Sequence, residues 1–173
     1  MKSDVFKVLM GVFLVFLFIV LYAIEFSFIS RTFEVSSLIG RSVFIGVLIG
    51  CGLGYLATRY ADELLEKTQY FIMVLVLSIL ITPLLGTMSN RLLAGKPEAK
   101  TFEFIQEEPY GASRFGIIEG QEPVVEGYFI FFVRNGQFER IKSPVPKFPN
   151  KEKGDEIQLA IRKGLWGYDL VDL

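Results

Sequence analysis

The side chains able to do chemistry in this chain are few, and the absences narrow the field first. There is no histidine, which removes the commonest general base and the commonest metal ligand. Ser–His–Asp and Cys–His catalysis within the chain go with it. The single cysteine, Cys51, sits inside an apolar block. It cannot form an internal disulfide, and a lone thiol fits either redox compartment. Carboxylates stand side by side at Glu107-Glu108 and Asp155-Glu156. Neighbours on a strand point to opposite faces, so each pair reads as solvated surface and not as an acid–base couple. No GxxxxGK[ST] or GxGxxG cradle follows a strand, which leaves nucleotide binding without a motif. Serines and lysines are numerous enough for a Ser/Lys dyad to meet in space, but nothing singles out a pair. No catalytic residue, cofactor site or metal site is expected.

The most specific spacing in the chain serves packing. Ser42, Gly46, Gly50 and Gly54 recur every four residues, with Thr58 continuing the series. They form one smooth stripe along a helix, containing two overlapping GxxxG motifs. Membrane helices associate through close backbone approach, because lipid tails solvate leucine as well as another helix does. The stripe therefore predicts a helix-packing interface, either with a helix of the same chain or with a second copy or different subunit. A weaker candidate for a partner surface comprises Tyr110, Arg114 and Phe115 in a Gly-containing loop, with Trp166 between Gly164 and Gly167. The alternative for that loop is a tight inter-strand connection whose aromatic rings pack on the core. Trp166 fits an exposed or a buried setting equally. Pro144-Val145-Pro146-Lys147-Phe148-Pro149 predicts an extended segment, either stiffening a sheet edge or recognised by a partner.

Three apolar blocks must carry the stripe. The first, Val5 to Ile24, has one charge, Lys7. At about 1.5 Å per residue it spans a hydrocarbon core of roughly 30 Å. A retained helix is expected and not a cleaved signal peptide, since the stretch exceeds a usual apolar region and Leu21-Tyr22-Ala23 is a poor cleavage site. The second block, Ser42 to Leu56, has Arg41 at its start. It is expected to continue as helix through Thr58-Arg59-Tyr60 into Asp62–Lys67. The third, Tyr70 to Met88, contains Pro83, which predicts an exit bend. Glu25 and Arg41 lie at block ends, where headgroups accommodate charge, and no block has an ionisable residue at its centre, which speaks against an ion path. The sequence thus predicts a multi-pass transmembrane domain over residues 1–91, with helices at about 5–24, 42–58 and 70–88. Lys2, Lys7, Arg59 and Lys67 against Arg31 and Arg41 place the N-terminus in the cytoplasm. The C-terminal domain then lies on the opposite side of a bacterial inner membrane or its equivalent.

Residues 92–173 predict a soluble, all-β domain. From Ser89 onward the chain holds twelve Lys/Arg against thirteen Asp/Glu, so nucleic-acid binding has no electrostatic support. Thr101–Phe104 alternates with period two. Gly127–Val133 is a dense aromatic and β-branched run, read as a central strand buried on both faces. Asn135-Gly136 between strands is a strong hairpin signal, because both turn residues need positive φ. Glu156–Arg162 alternates cleanly, and Tyr168–Val171 predicts a last short strand. The spacing suggests a small sandwich or partly open barrel of roughly five to seven strands.

This plan, a few membrane helices followed by a small β-domain, is similar to that of NfeD-type membrane proteins, whose tail is an OB-like barrel. The resemblance is one of plan: no family motif aligns onto residues here, and no site residue follows from it. The functional expectation is a non-catalytic accessory or scaffolding subunit of a membrane complex, with the β-domain docking on a partner outside the bilayer. An oligomeric channel or transport component built on the glycine stripe is the alternative. An enzyme with an unusual Ser/Lys or carboxylate site is the third reading. The partners implied are the lipid bilayer and other membrane subunits or a second copy.

Overall fold

The computed structural model describes residues 2–111 and 125–172. The chain forms two compact units. One comprises the residues up to Ala94 together with Gly164–Tyr168, and the other comprises Gly95–Lys163 with the residues from Asp169 onward.

The first unit contains helices α1 (Lys2–Ile29), α2 (Val35–Ala57) and α3 (Leu64–Leu92). Leu9–Ile29, Val35–Tyr60 and Leu64–Leu92 are each long and apolar enough to cross a membrane. One expectation about them changes. The helix does not run on from the second block into the charged stretch. It tightens to a 3₁₀ turn at Thr58–Tyr60 and breaks at Ala61, whose backbone is extended (φ −118°, ψ 145°). The break lets the chain reverse, so Asp62 and Glu63 fall in the turn while Leu64–Lys67 open α3. Pro83 lies inside α3, as expected, and the helix continues to Leu92. Hydroxyls near the proline bond to neighbouring carbonyls: Thr82 Oγ1 donates to Ser78 O at 2.8 Å and the Tyr22 phenol donates to Leu80 O at 2.6 Å.

α2 and α3 form the main helix pair, and the small-residue stripe is where they meet. A Cβ added at Gly50 would stand 3.0 Å from the Leu75 Cα and the Ser78 Cβ. One added at Gly54 would come within 2.9 Å of the Phe71 ring, and one at Gly46 would collide with Thr82. Ser42 closes the series against Gly86 of α3.

The second unit is a single curled antiparallel sheet, a half-barrel of five strands. They are β1 (Glu98–Tyr110), β2 (Gly127–Arg134), β3 (Gln137–Ser143), β4 (Glu156–Lys163) and β5 (Asp169–Asp172), in spatial order β3-β2-β1-β4-β5. Of the two architectures expected, the described residues form the open one and no second sheet. The run 3-2-1-4 is a Greek key. β1 is the central strand, paired with β2 on one side and β4 on the other, and its register shifts between Phe104 and Gln106. A bulge of this kind bends a strand and sharpens its twist.

β2 lies inside the sheet, paired with β1 and β3, but only one of its faces is sealed and not both as the run predicts. Ile130 and Phe132 are fully buried, while Tyr128, Phe129, Phe131 and Val133 are half-buried. A single curled sheet has one core face, and that face also holds Phe102, Phe104, Ile141, Ile157, Leu159 and Ile161. The β2–β3 hairpin turns at Asn135 (φ 51°) and Gly136 (φ 76°), the positive pair that the dipeptide predicts. The proline segment follows edge strand β3. Glu107 accepts the backbone N–H groups of Lys147 (2.8 Å) and Phe148 (3.1 Å), and the Phe148 ring packs on Phe104. Glu107 is thus a loop anchor and not solvated surface, because the loop folds back over β1.

Candidate functional site

The polar groups of the helical unit converge at one end. Because α1, α2 and α3 run up, down and up, the last turns of α1 and α3 and the first turns of α2 share that end. Glu25 near the end of α1 is 2% exposed. Arg91 near the end of α3 donates to it through Nη2 at 2.8 Å and Nε at 3.2 Å. The Arg91 guanidinium also lies 4.0 Å from the centroid of the Phe28 ring, a cation–π contact within the usual range. Glu25 is therefore not solvated among headgroups, as its place at a block end suggested. A carboxylate removed from solvent needs a charged partner, and α3 supplies one.

Beside this pair, the turn Gly164–Tyr168 is bound into the helix ends. Its shape is locally specified. Gly167 has φ +83°, a conformation costly for any residue with a Cβ. Gly167 N–H closes on Gly164 O at 3.0 Å and Gly164 N–H on Tyr168 O at 3.1 Å. Gly164 also lies so close to the Asn90 amide that a Cβ there would collide with it. Asn90, 0% exposed, holds the turn by both ends of its side chain. Nδ2 donates to Tyr168 O at 3.0 Å and Oδ1 accepts from Trp166 N–H at 3.0 Å. The Asn90 carbonyl accepts Leu165 N–H at 3.3 Å. A buried amide with this many partners fixes one geometry, since leaving any of them unmade costs about 1–3 kcal/mol.

The aromatic residues of the turn roof a cleft between α2 and α3. Trp166 is 51% exposed, and its indole N–H donates to Ser89 Oγ at 2.9 Å. The Tyr168 hydroxyl bonds Ser37 Oγ at 3.1 Å, and the Arg41 guanidinium lies 5.5 Å from the Tyr168 ring centroid. The cleft has a volume of about 390 Å³ and runs from Arg41 between Ile45 and Leu85, with Gly86 as floor. Its hydroxyls are turned inward: Ser42 donates to Leu38 O, Thr82 to Ser78 O and Ser89 to Gly86 O. None of these serines meets a lysine, so they do not form the Ser/Lys dyad that the sequence leaves open. Chemically the cleft offers an apolar trough with one cation at its mouth.

The residues predicted as sites fall in different places. Ser42, Gly46, Gly50 and Gly54 all face α3 of the same chain. Tyr110, at the end of β1, stacks on Phe129 with centroids 4.5 Å apart, in the β unit. Trp166 belongs to the helical unit, so the two do not form one surface within either unit. Arg114 and Phe115 lie outside the described residues. Asn90 and the Glu25–Arg91 pair were missed. An opposite charge near the ends of two helices running in the same direction was a usable signal for the pair, whereas a single asparagine after an apolar run carried none. No known family, no curated protein and no solved structure matches this chain.

Proposed function

We propose that the chain is a non-catalytic accessory or scaffolding subunit of a membrane complex, its three helices crossing the bilayer and its half-barrel docking on a partner outside it. One observation carries this reading. The helical unit buries polar groups beside a few apolar ones and turns most of its large apolar side chains outward: Glu25, Ser42, Thr87 and Asn90 are buried with Phe33, Leu38 and Leu84, while Phe13, Phe16, Leu48 and Leu77 are exposed. That distribution is costly in water and favourable in lipid. Each buried polar group has its own partner: Glu25 is paired with Arg91, Ser42 and Thr87 donate to carbonyls of their own helices, and Asn90 holds the Gly164–Tyr168 turn, which supports a structural task over a reactive one. The half-barrel offers docking ground at β3. This strand has one neighbour among the described residues and carries the exposed Phe138, and a free sheet edge accepts an added strand from a partner.

The channel alternative needs a glycine stripe open to a second copy, and α3 lies against the stripe. Purification of the full chain from membranes in mild detergent, followed by mass spectrometry of the intact particle, tests the proposal. A stoichiometric unrelated polypeptide is expected. A homo-oligomer without one would favour the channel, and a monomer with a bound small molecule would favour an enzyme.

A further inference from the structure

We infer that the cleft between α2 and α3 is a binding site for an anionic glycerophospholipid, with the phosphate at Arg41 and one acyl chain lying along Ile45 and Leu85. The inference rests on the membrane placement proposed above and adds a ligand to it. Four features point the same way.

The first is charge. Arg41 is exposed, its contact is with the face of Tyr168, and no carboxylate pairs with it among the described residues. Of the other arginines near this end, Arg91 is paired with Glu25, and Arg31, which like Arg41 lies over an aromatic ring, does not line the cleft. A guanidinium presents parallel N–H donors that match a phosphate in a bidentate way.

The second is the wall below that charge. Ser42, Thr82 and Ser89 have hydroxyls in the cleft, yet each donates to a carbonyl of its own helix. The trough therefore presents hydrocarbon, and its volume of about 390 Å³ falls within the roughly 300–1,000 Å³ typical of ligand sites.

The third is access. Along α3, Thr82 on the cleft side and Arg91 on the α1 side are nine residues apart. At about 100° per residue that places them roughly half a turn from each other. The Tyr22 phenol, also from α1, reaches α3 at Leu80, which lies on the same side as Arg91 by the same count. α1 thus covers the opposite face of α3 and leaves the cleft open sideways, where the surrounding lipid is the available occupant.

The fourth is depth. Trp166 and Tyr168 stand at the mouth of the cleft, and these two residue types settle at the headgroup level of membranes. Basic pockets between helices at that level hold the headgroups of anionic lipids.

The test uses the full-length protein in mild detergent, first shown to come from the membrane fraction by resistance to alkaline extraction. It is then incubated with phosphatidylglycerol or phosphatidylcholine, and retained lipid is counted by native mass spectrometry. The unmodified protein is expected to retain one phosphatidylglycerol per chain in preference to phosphatidylcholine. Arg41→Gln should cut that preference about fivefold, the effect of one basic side chain at a membrane surface. Arg59→Gln is the control, because Arg59 also lies over an aromatic ring, that of Tyr55, but outside the cleft. It should leave the preference unchanged. Ile45→Trp fills the trough and should reduce retention of both lipids, with helical circular dichroism confirming that the variant is folded. Equal retention by the unmodified protein and Arg41→Gln would overturn the site, as would an equal loss in Arg59→Gln. So would a copurifying polypeptide that phosphatidylglycerol does not displace but Ile45→Trp does. Failure of the membrane reading is seen separately, as loss of the protein on alkaline extraction.

Discussion

In the half-barrel, the side chains sealed from outside are Ile130, Phe132, Ile141, Ile157 and Ile161. In the helical unit Glu25, Ser42 and Asn90 and the stripe glycines Gly46, Gly50 and Gly54 are sealed alongside Phe33, Leu38 and Leu84, while Phe13, Leu48 and Met73 face outward. The interior of the half-barrel is thus mostly hydrocarbon, whereas that of the helical unit mixes small and polar groups with a few large apolar ones. Burial in the half-barrel removes hydrocarbon from water, at about 25 cal/mol per Å² of apolar surface. Between helices in lipid, the placement proposed for the helical unit, that term vanishes, and cohesion comes from close backbone approach and polar pairing. The difference makes size the sensitive property in one unit, and smallness and charge the sensitive properties in the other.

Substitutions can break this contrast, and the largest effect is expected in the half-barrel. Phe132→Ala empties the centre of its core and should cost about 3–5 kcal/mol. It would be read as loss of the β-sheet signal at lower temperature, with the helical signal retained. Loss of both signals together would mean that the two units do not differ in what holds them.

Next comes Arg91→Met, which leaves the Glu25 carboxylate buried without its partner. Removing one member of a buried pair costs about 3–5 kcal/mol, and the residual exposure of Arg91 places this case at the lower end. The double variant Glu25→Leu with Arg91→Met should recover most of the loss, since apolar replacement of a whole buried pair is often neutral. Thermal unfolding in detergent followed through the helical signal checks both. A double variant as unstable as the single one would make the charges themselves, and not their mutual compensation, the requirement.

A charge placed on the two outer surfaces sharpens the comparison further. Leu48 on α2 and Phe138 on β3 are both exposed, by 59% and 81%. Leu48→Lys at mid-helix should penalise membrane insertion by about 2.5–3.5 kcal/mol, whereas Phe138→Lys should shift stability by no more than about 0.5 kcal/mol. Insertion is scored by glycosylation or protease reporters and stability by thermal unfolding. Equal tolerance at both positions would remove the lipid-facing reading of the helices.

A loss smaller than those at Phe132, Arg91 and Leu48 is expected from Gly50→Leu, which forces a side chain into the α2–α3 contact. Overpacking costs about 1–3 kcal/mol, while Ile49→Ala on the outer face should cost much less. Unfolding temperatures in mild detergent report the difference. A Gly50→Leu variant as stable as the unmodified chain would mean that the helix pair is held elsewhere.

The elements legible in the sequence are those that short-range chemistry dictates. Apolar runs of about twenty residues mark the helices, the four-residue spacing of Ser42, Gly46, Gly50 and Gly54 marks a packing stripe, and Asn135-Gly136 marks a hairpin. Each depends on neighbours within a few positions, so each could be read without knowing the fold. The bend at Ala61 was not legible, because Thr58–Lys67 has no proline or glycine to stop a helix and the reversal is imposed by α3 packing on α2. The single core face of β2 was hidden for a similar reason. An unbroken apolar run looks the same whether one or two layers cover it, and the curl of the sheet decides.

The site depended most on tertiary structure. Gly164-Leu165-Trp166-Gly167 announces a tight turn, but its partner Asn90 lies more than seventy positions away. Sequence distance carries no information about such a meeting, and only the path of the chain back from β4 to the helix ends creates it. Glu25 and Arg91 stand between these extremes: the alternation of helix directions puts them at one end, and the packing of α1 on α3 brings their charges to 2.8 Å. Helix and hairpin formation are local equilibria that side-chain type sets, whereas a buried polar contact exists only where two distant segments are desolvated together, and that is a property of the folded chain.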